Sequence, residues 1–364
     1  MFRAAVWIVV LGFIFKIVID YRDWLDLDKD VILSVTPGKC QNVIKDGGAE
    51  DLTHVGNGLI LMSTGLSETP GHIRALNLNK KLEVVTMSIS NPPDRPDFMN
   101  KPHGLSAWRD PQTAKLYLHV ISHASVECVE AFEVDEDKLA LKYLKTITDS
   151  SFTFMNDLVA VGKDQFYITK FAHFPIHDTK KLNLEWLTRL RTGKIYFYDG
   201  EKIMDAVSSL QEPNGINISP DNKVIYVAEW GAKYLRAYKR ESTNSLVEIW
   251  SKYVATGIDN IEVDPSNGDL WIGSVQVRWK VIDILNEPRH GAKHPAQVLR
   301  VKLSDNTITQ IEEIFSDDGN FMSGTSVATY VNGKAVIGTV SNTAEVCEIN
   351  YLSKPDDVKR GAWQ

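Results

Sequence analysis

The sequence predicts an all-β fold, a six-bladed β-propeller carrying an N-terminal hydrophobic anchor helix. Three observations predict it. Six segments share one plan: a polar residue, a short alternating strand, a turn, then a second strand rich in aromatic and β-branched residues, with starts at 51, 103, 156, 214, 260 and 325. Their turns use turn chemistry: Gly-Asn-Gly, Asp-Pro, Ser-Pro-Asp, Ser-Asn-Gly and Asn-Gly. The spacing lies close to the propeller period of about 40–50 residues and leaves room for two more strands in each unit. A pair of β-sandwiches is the alternative arrangement for so many short strands.

Residues 1–20 form the first element. The stretch AAVWIVVLGFIFKIVI, Ala4 to Ile19, is apolar apart from Lys16. At about 1.5 Å per residue a helix of this length approaches the thickness of the hydrocarbon core, and Lys16 can snorkel to an interface. Arg3 precedes the run and no small-x-small cleavage site follows it. The expectation is an uncleaved signal-anchor, with Arg3 cytosolic and the body in the ER lumen or outside the cell; a cleaved signal peptide is the alternative. Residues 21–39 are expected to be a juxtamembrane spacer. Asp26, Asp28 and Asp30 imitate the start of a calcium loop, but Val31 stands where the loop needs Gly and Pro37 where it needs Glu. These acids therefore read as solvated. Residues 40–350 are the propeller and 351–364 a C-terminal tail.

The chain is 43% apolar and 24% charged, a globular composition. A formal charge of −7 argues against nucleic acid as a partner, since phosphate binding needs a basic face. Of the three cysteines, Cys40 and Cys347 stand near the two ends of the propeller. A lumenal compartment permits a disulfide between them, which would lock the ring closed. Cys128 is left over, either a buried thiol or one half of a mixed disulfide with a partner.

The inner strand of each blade lies nearest the axis, so the residue that heads it points into the central tunnel. The heads are Asp51 with Glu50 before it, His103, Asn156 with Asp157, Asn214, Asn260 with Asp259, and Thr325. Taken singly, an Asn-Gly ahead of a strand is an ordinary turn. Taken together, the heads bring carboxylate and amide oxygens onto one axis, which suits Ca²⁺ and not zinc. Gathering such carboxylates without a cation would cost several kcal/mol, on the order of the penalty for unpaired buried charge. His123, in VISHAS, ends the next strand of the blade headed by His103. Two histidines near a metal read as a general-base pair; the plainer reading of each is a hydrogen-bonded core residue.

The motifs AEDL, KPHGLS, MNDLVAVG, PNGINISPD, IDNIEVDPSNGDLWIG and GKAVIGTV resemble the paraoxonase/arylesterase family from KCQNV to EVCEI. The resemblance implies a six-bladed propeller holding two calcium ions. It implies one ion on Glu50, Asn156, Asn214, Asp259 and Asn260. It implies a second on Asp51, Asp157 and the backbone carbonyl of Leu105. It further implies His103 and His123 as a catalytic dyad, a Cys40–Cys347 disulfide, and hydrolysis of lactones and aryl esters, with organophosphates as side substrates. Calcium would polarise the carbonyl while His103 takes a proton from water and His123 orients or relays. No G-x-S-x-G elbow supports a serine nucleophile.

The sequence also departs from that family. Ser274 stands where it usually has a third cysteine, and Ser341 and Asn342 replace bulkier pocket residues. Lys170, Phe171, Ala172 and His173 follow FYIT where an Asp next to a His is usual, and Glu212 with Pro213 replaces an aromatic-small pair. The expectation is an intact metal floor under altered walls that have lost apolar bulk. The alternative function is a non-catalytic, membrane-anchored scaffold that assists the assembly of other membrane proteins. In residues 180–193, Leu182, Trp186 and Leu190 share one helical face with Leu187 beside it, a pattern for a membrane interface or for a helix covering the tunnel mouth. Asn217 begins an Asn-x-Ser sequon followed by Pro, and is expected to be unglycosylated.

Overall fold

Six antiparallel sheets follow one another along the chain in the computed structural model, which describes residues 2–29, 31–66, 71–281, 293–340, 343–349 and 351. The strands at 51–86, 155–210, 213–253 and 257–317 make four-stranded blades in simple sequence order. The second blade, with inner strand Pro102–Arg109, gains a fifth strand because Ser88–Ser90 pairs parallel to its outer strand Ala140–Thr148. The sixth blade is built from both ends of the chain. Thr325–Val331, Lys334–Thr339 and Ala344–Glu348 supply three strands and Cys40–Ile44 the fourth. The register sets Cys40 opposite Cys347, and the two are bridged across 307 residues.

The second strand of every blade is buried along its length, as in Leu59–Thr64, Leu116–Ser122 and Lys334–Thr339, whose exposure is confined to Lys334. Strands covered on both faces lose their polar alternation. Apolar side chains of neighbouring blades then pack as wedges between the sheets. One such wedge joins Leu61 and Ile73 of the first blade to Leu118 and Phe132 of the second.

Helices α1 (Phe2–Leu25) and α2 (Thr179–Thr188) lie outside the sheets. Helix α1, Phe2–Leu25, continues past the expected boundary at residue 20. Trp7, Ile8, Val9, Leu11, Phe13 and Phe15 on it are exposed. Among the described residues no helix is long and apolar enough to cross a membrane. Of the three acids after α1, Asp28 is exposed as expected and Asp30 lies outside the described residues, but Asp26 is not solvated. Asp26 is buried, 2.6 Å from Lys233 Nζ and 2.9 Å from Lys29 Nζ. The Trp24 indole donates to the Gly231 carbonyl at 3.1 Å. The Arg278 guanidinium lies between Trp24 and Trp230, 4.8 and 4.1 Å from their ring centroids. A charge run reads as solvated only while its partners, here more than 200 residues away, are unknown.

Helix α2, Thr179–Thr188, is capped by Asp178 and stopped by Arg189 in the left-handed region at φ 54°. Leu182 and Trp186 are buried as a pair, but Leu190 falls beyond the helix end and is exposed, so it does not share their face. Glu185 holds the inner face down by accepting the N–H groups of His173 and Phe174 at 2.8 and 3.1 Å. Cys128 is the buried thiol of the two readings. Burial, then the Glu130 carboxylate, pushes it up to about 12, which disfavours the thiolate.

Cutting the bridge tests what closes the ring. The Cys40→Ser/Cys347→Ser variant should lose about 2–5 kcal/mol of unfolding free energy in urea. A loss below about 1 kcal/mol, the scale of ordinary substitutions, would show that strand pairing alone holds the ends.

Candidate active site

The polar heads meet where the inner strands begin, and a register shift marks the place in five blades. It falls between Pro102 and Leu105, Met155 and Leu158, Pro213 and Ile216, Ile258 and Ile261, and Thr325 and Val327. Each bulge frees a residue from the ladder and turns it toward the axis. This explains why Asn214-Gly215 opens a strand although both are poor strand residues. A Cβ on Gly215 would lie 2.5 Å from Asn260 Cα, and one on Gly104 would lie 2.5 Å from Asp157 Cα. Only glycine lets the bulged heads of adjacent blades come so near.

Glu50, Asp51, His103, Asn156, Asp157, Asn214, Asp259 and Asn260 are all buried at this end. Glu50 Oε2, Asn156 Oδ1, Asn214 Oδ1, Asp259 Oδ1 and Asn260 Oδ1 have no hydrogen-bond partner among the described residues. Native proteins seldom leave such atoms unpaired without an ion or water to meet them. Asp51 and Asp157 differ. Asp51 accepts the N–H groups of Leu52 and Leu105, both at 2.8 Å, and Asp157 those of Leu158 and Ile216, both at 2.7 Å. Among the described residues no group of three or more His, Cys, Asp or Glu side chains is placed to hold a metal. Three of the five unpaired oxygens belong to asparagines, which lie outside that count.

The electrostatics agree with the unpaired atoms. Burial, then the charges of Asp157 and Glu50, pushes Asp51 well above the usual carboxylate range. Burial, then Glu50, does the same to Asp259. Asp157 is pushed up to about 8 by burial, against the pull of its two backbone N–H bonds. A cation among these groups would reverse every one of these shifts.

His103 joins the cluster to a chain of rings. Its Nε2 lies 3.3 Å from Glu50 Oε1 and its Nδ1 lies 2.8 Å from His123 Nε2. His123 Nδ1 lies 3.2 Å from Glu127 Oε1. Burial works downward on His103, but the charge and hydrogen bond of Glu50 prevail and the net shift is upward. For His123 burial prevails and the shift is downward. Glu127 escaped the sequence reading. It sits in a turn outside every repeat, and its spacing of four from His123 carries no signal in a loop.

Above this floor lies a cavity of about 140 Å³ reached by Glu50, His103, Asn156, Asn214 and Asp259. Its walls include Phe154, Phe171, Ile176, Trp186 and Trp230. The expected loss of apolar bulk concerned Ser341 and Asn342, which lie outside the described residues. Phe171, which comes from the stretch that departs from the family pattern, lines the cavity beside Trp230. Lys170 is buried beside Phe171, and burial lowers its pKa. Glu212 is also buried, 3.4 Å from Arg278 Nη1, and burial pushes it up to about 7 despite Arg278. Ser274 is buried in the second strand of its blade; Ser341 and Asn342 lie outside the described residues. The Asn217 side-chain nitrogen donates to Ile261 O at 2.7 Å and Glu262 Oε1 at 3.0 Å, so it faces the tunnel rather than solvent.

The arylesterase family model matches residues 32–349, the whole ring. The chain belongs to the arylesterase family. It is 30% identical to the mouse serum paraoxonase/arylesterase 1 over 93% of this chain and 98% of that protein. It is 32% identical to the chicken serum paraoxonase/arylesterase 2 over 83% and 86%, and 28% identical to the human serum paraoxonase/lactonase 3 over 93% and 96%. A solved structure assigned as a gluconolactonase superimposes with a TM-score of 0.51 at 11% identity, covering 88% of this chain and 98% of that one, a likeness of fold. Membership in the arylesterase family supports a hydrolase in general terms.

The buried acids make stability depend on pH in a stated direction. The folded-state value of Asp157 is raised, so its contribution is full below about pH 4 and is lost as pH rises through about 8. Asp51 and Asp259 shift the same way. In chelator the melting temperature should therefore fall between about pH 5 and 8, and added calcium should flatten that slope. A melting temperature insensitive to pH in chelator would contradict a cluster of unpaired buried acids.

Proposed function

We propose that this arylesterase-family chain is a calcium-dependent hydrolase of lactones and aryl esters, held at a membrane by its N-terminal helix. One observation carries the reading: unpaired carboxylate and amide oxygens beside a histidine pair, on the floor of an apolar-walled cavity. Glu50, Asn156, Asn214, Asp259 and Asn260 would hold one Ca²⁺, a hard-oxygen set that suits this ion's flexible geometry. Asp51, Asp157 and the carbonyl of Leu105 would hold a second, in keeping with the rise each of the two acids' surroundings imposes on it. Bound calcium supplies electrostatic stabilisation to the oxygen of a substrate carbonyl.

The residues of the chain do the rest. His103 Nε2 takes a proton from water as the water oxygen bonds to the carbonyl carbon and the carbonyl π pair moves onto oxygen. When that pair returns, the bond to the leaving oxygen breaks and the leaving oxygen recovers the proton from His103. His123 Nε2, 2.8 Å from His103 Nδ1, keeps the ring from turning. Phe154, Phe171, Trp186 and Trp230 bury the ring or chain of the ester and exclude water from the floor. The relatives are themselves named as arylesterases and a lactonase. Membrane association draws on the exposed apolar residues of α1 and on Leu184 and Leu187 of α2, 61% and 57% exposed.

A panel of phenyl esters and lactones, run with and without chelator, tests the proposal. Turnover should vanish in chelator and return with calcium, and His103→Gln should lower kcat by about 10²–10⁴-fold. Absence of turnover at saturating calcium would overturn it.

A further inference from the structure

Glu127 stands in the turn between strands Leu116–Ser122 and Cys128–Asp135, and its carboxylate is spent entirely on acceptance. Oε1 takes the Phe154 N–H at 2.8 Å and faces His123 Nδ1 at 3.2 Å, while Oε2 takes the Met155 N–H at 2.8 Å. The bonds from His123, Met155 and Phe154 hold this carboxyl below its usual range, although burial works the other way. A carboxylate that accepts two N–H bonds has no proton to give, so the hydrogen on the Glu127–His123 contact belongs to His123 Nδ1. His123 Nε2 is then an acceptor, and the hydrogen between the rings belongs to His103 Nδ1. That leaves Nε2 of His103 as the ring atom that gains and loses the proton, on the side that faces the cavity floor and Glu50.

We propose that Glu127 is the positioning residue of this site: it fixes the tautomer of His123 and thereby makes Nε2 of His103 the basic atom. The assignment rests on the reading of the histidine pair as the hydrolytic base. Without Glu127, His123 is free to carry its hydrogen on Nε2. His103 Nδ1 would then have to accept, its own hydrogen would move to Nε2, and the ring would present a donor where the reaction needs a base. The same carboxylate also stabilises the pair once it has taken up a proton. It ties the pair to the third blade as well, since Phe154 and Met155 immediately precede Asn156. Phe154 holds a positive φ of 48° and lends its ring to the cavity wall.

Long-range ¹H–¹⁵N spectra of the full chain, labelled at histidine and loaded with calcium, read the tautomers directly. The expected spectrum shows His123 protonated at Nδ1 and bare at Nε2. A wild-type His123 protonated at Nε2 overturns the proposal whether or not the protein hydrolyses any ester, so this arm also stands if the hydrolase reading fails. Glu127→Gln should convert that signature and lower kcat for a phenyl ester by roughly a hundredfold, with KM near the wild-type value. Added to His123→Gln it should cost little more, because the two act through one path; fully multiplicative losses overturn the proposal. Calcium affinity, titrated with the metal alone, should be unchanged in Glu127→Gln. A fall in affinity matching the fall in kcat would place the effect on Asn156 and likewise overturn it. Should the variants not fold, the wild-type spectrum still decides.

Discussion

A carboxylate buried beside another carboxylate is held there against its own electrostatics, and Asp51, Asp157 and Asp259 are all held that way. The ring is what holds them. Each acid is fixed to its own blade by strand pairing, and the blades are fixed to one another by apolar wedges, so no single side chain can relieve the strain by moving. The glycines that follow His103 and Asn214 complete the constraint by letting neighbouring strand heads approach within backbone contact. A cation suited to oxygen ligands turns the same crowding from a cost into a binding free energy. The polar floor and the apolar cavity above it follow from one geometry, since the inner strands all begin at that end.

The family's chemistry asks for two further things, and the fold answers both with residues on different blades. On the proposed reading, a base has to be correctly oriented beside the polar floor. Its orientation comes from a chain that starts at Glu50 on the first blade, crosses two histidines of the second, and ends on a carboxylate bonded to the third. A substrate of low polarity needs walls to match. These come from Phe154 and Phe171 beside the third blade, Trp186 on α2 and Trp230 at the end of a strand in the fourth. The Trp186 and Trp230 rings lie 6.3 Å apart between centroids and tilted by 40°, so helix and ring share that wall.

The blade plan and the strand heads were legible in the sequence because turn chemistry and strand alternation are local signals. Asn214-Gly215 alone reads as a turn, and the agreement among the repeats is what marks Asn214 as a strand head. The ring-closing pair Cys40 and Cys347 was legible for a different reason, since a closed repeat must join its own ends. What stayed hidden depends on partners far along the chain. Asp26 looks like a solvated acid until Lys233 stands against it, and Arg278 has no visible purpose until two tryptophans close on it. Glu127 belongs with these, because a loop has no period from which its direction can be read. Leu190 shows the opposite error: helical spacing was carried one turn too far, past the left-handed Arg189 that ends the helix.

The guanidinium of Arg278 has one indole of the N-terminal segment on one side and one indole of the cavity wall on the other. The last turn of α1 is thereby packed against the rim of the cavity. If α1 lies on a membrane as proposed, that contact would set the compass bearing of the opening, and molecules dissolved in the membrane would arrive along one approach instead of a distribution of them.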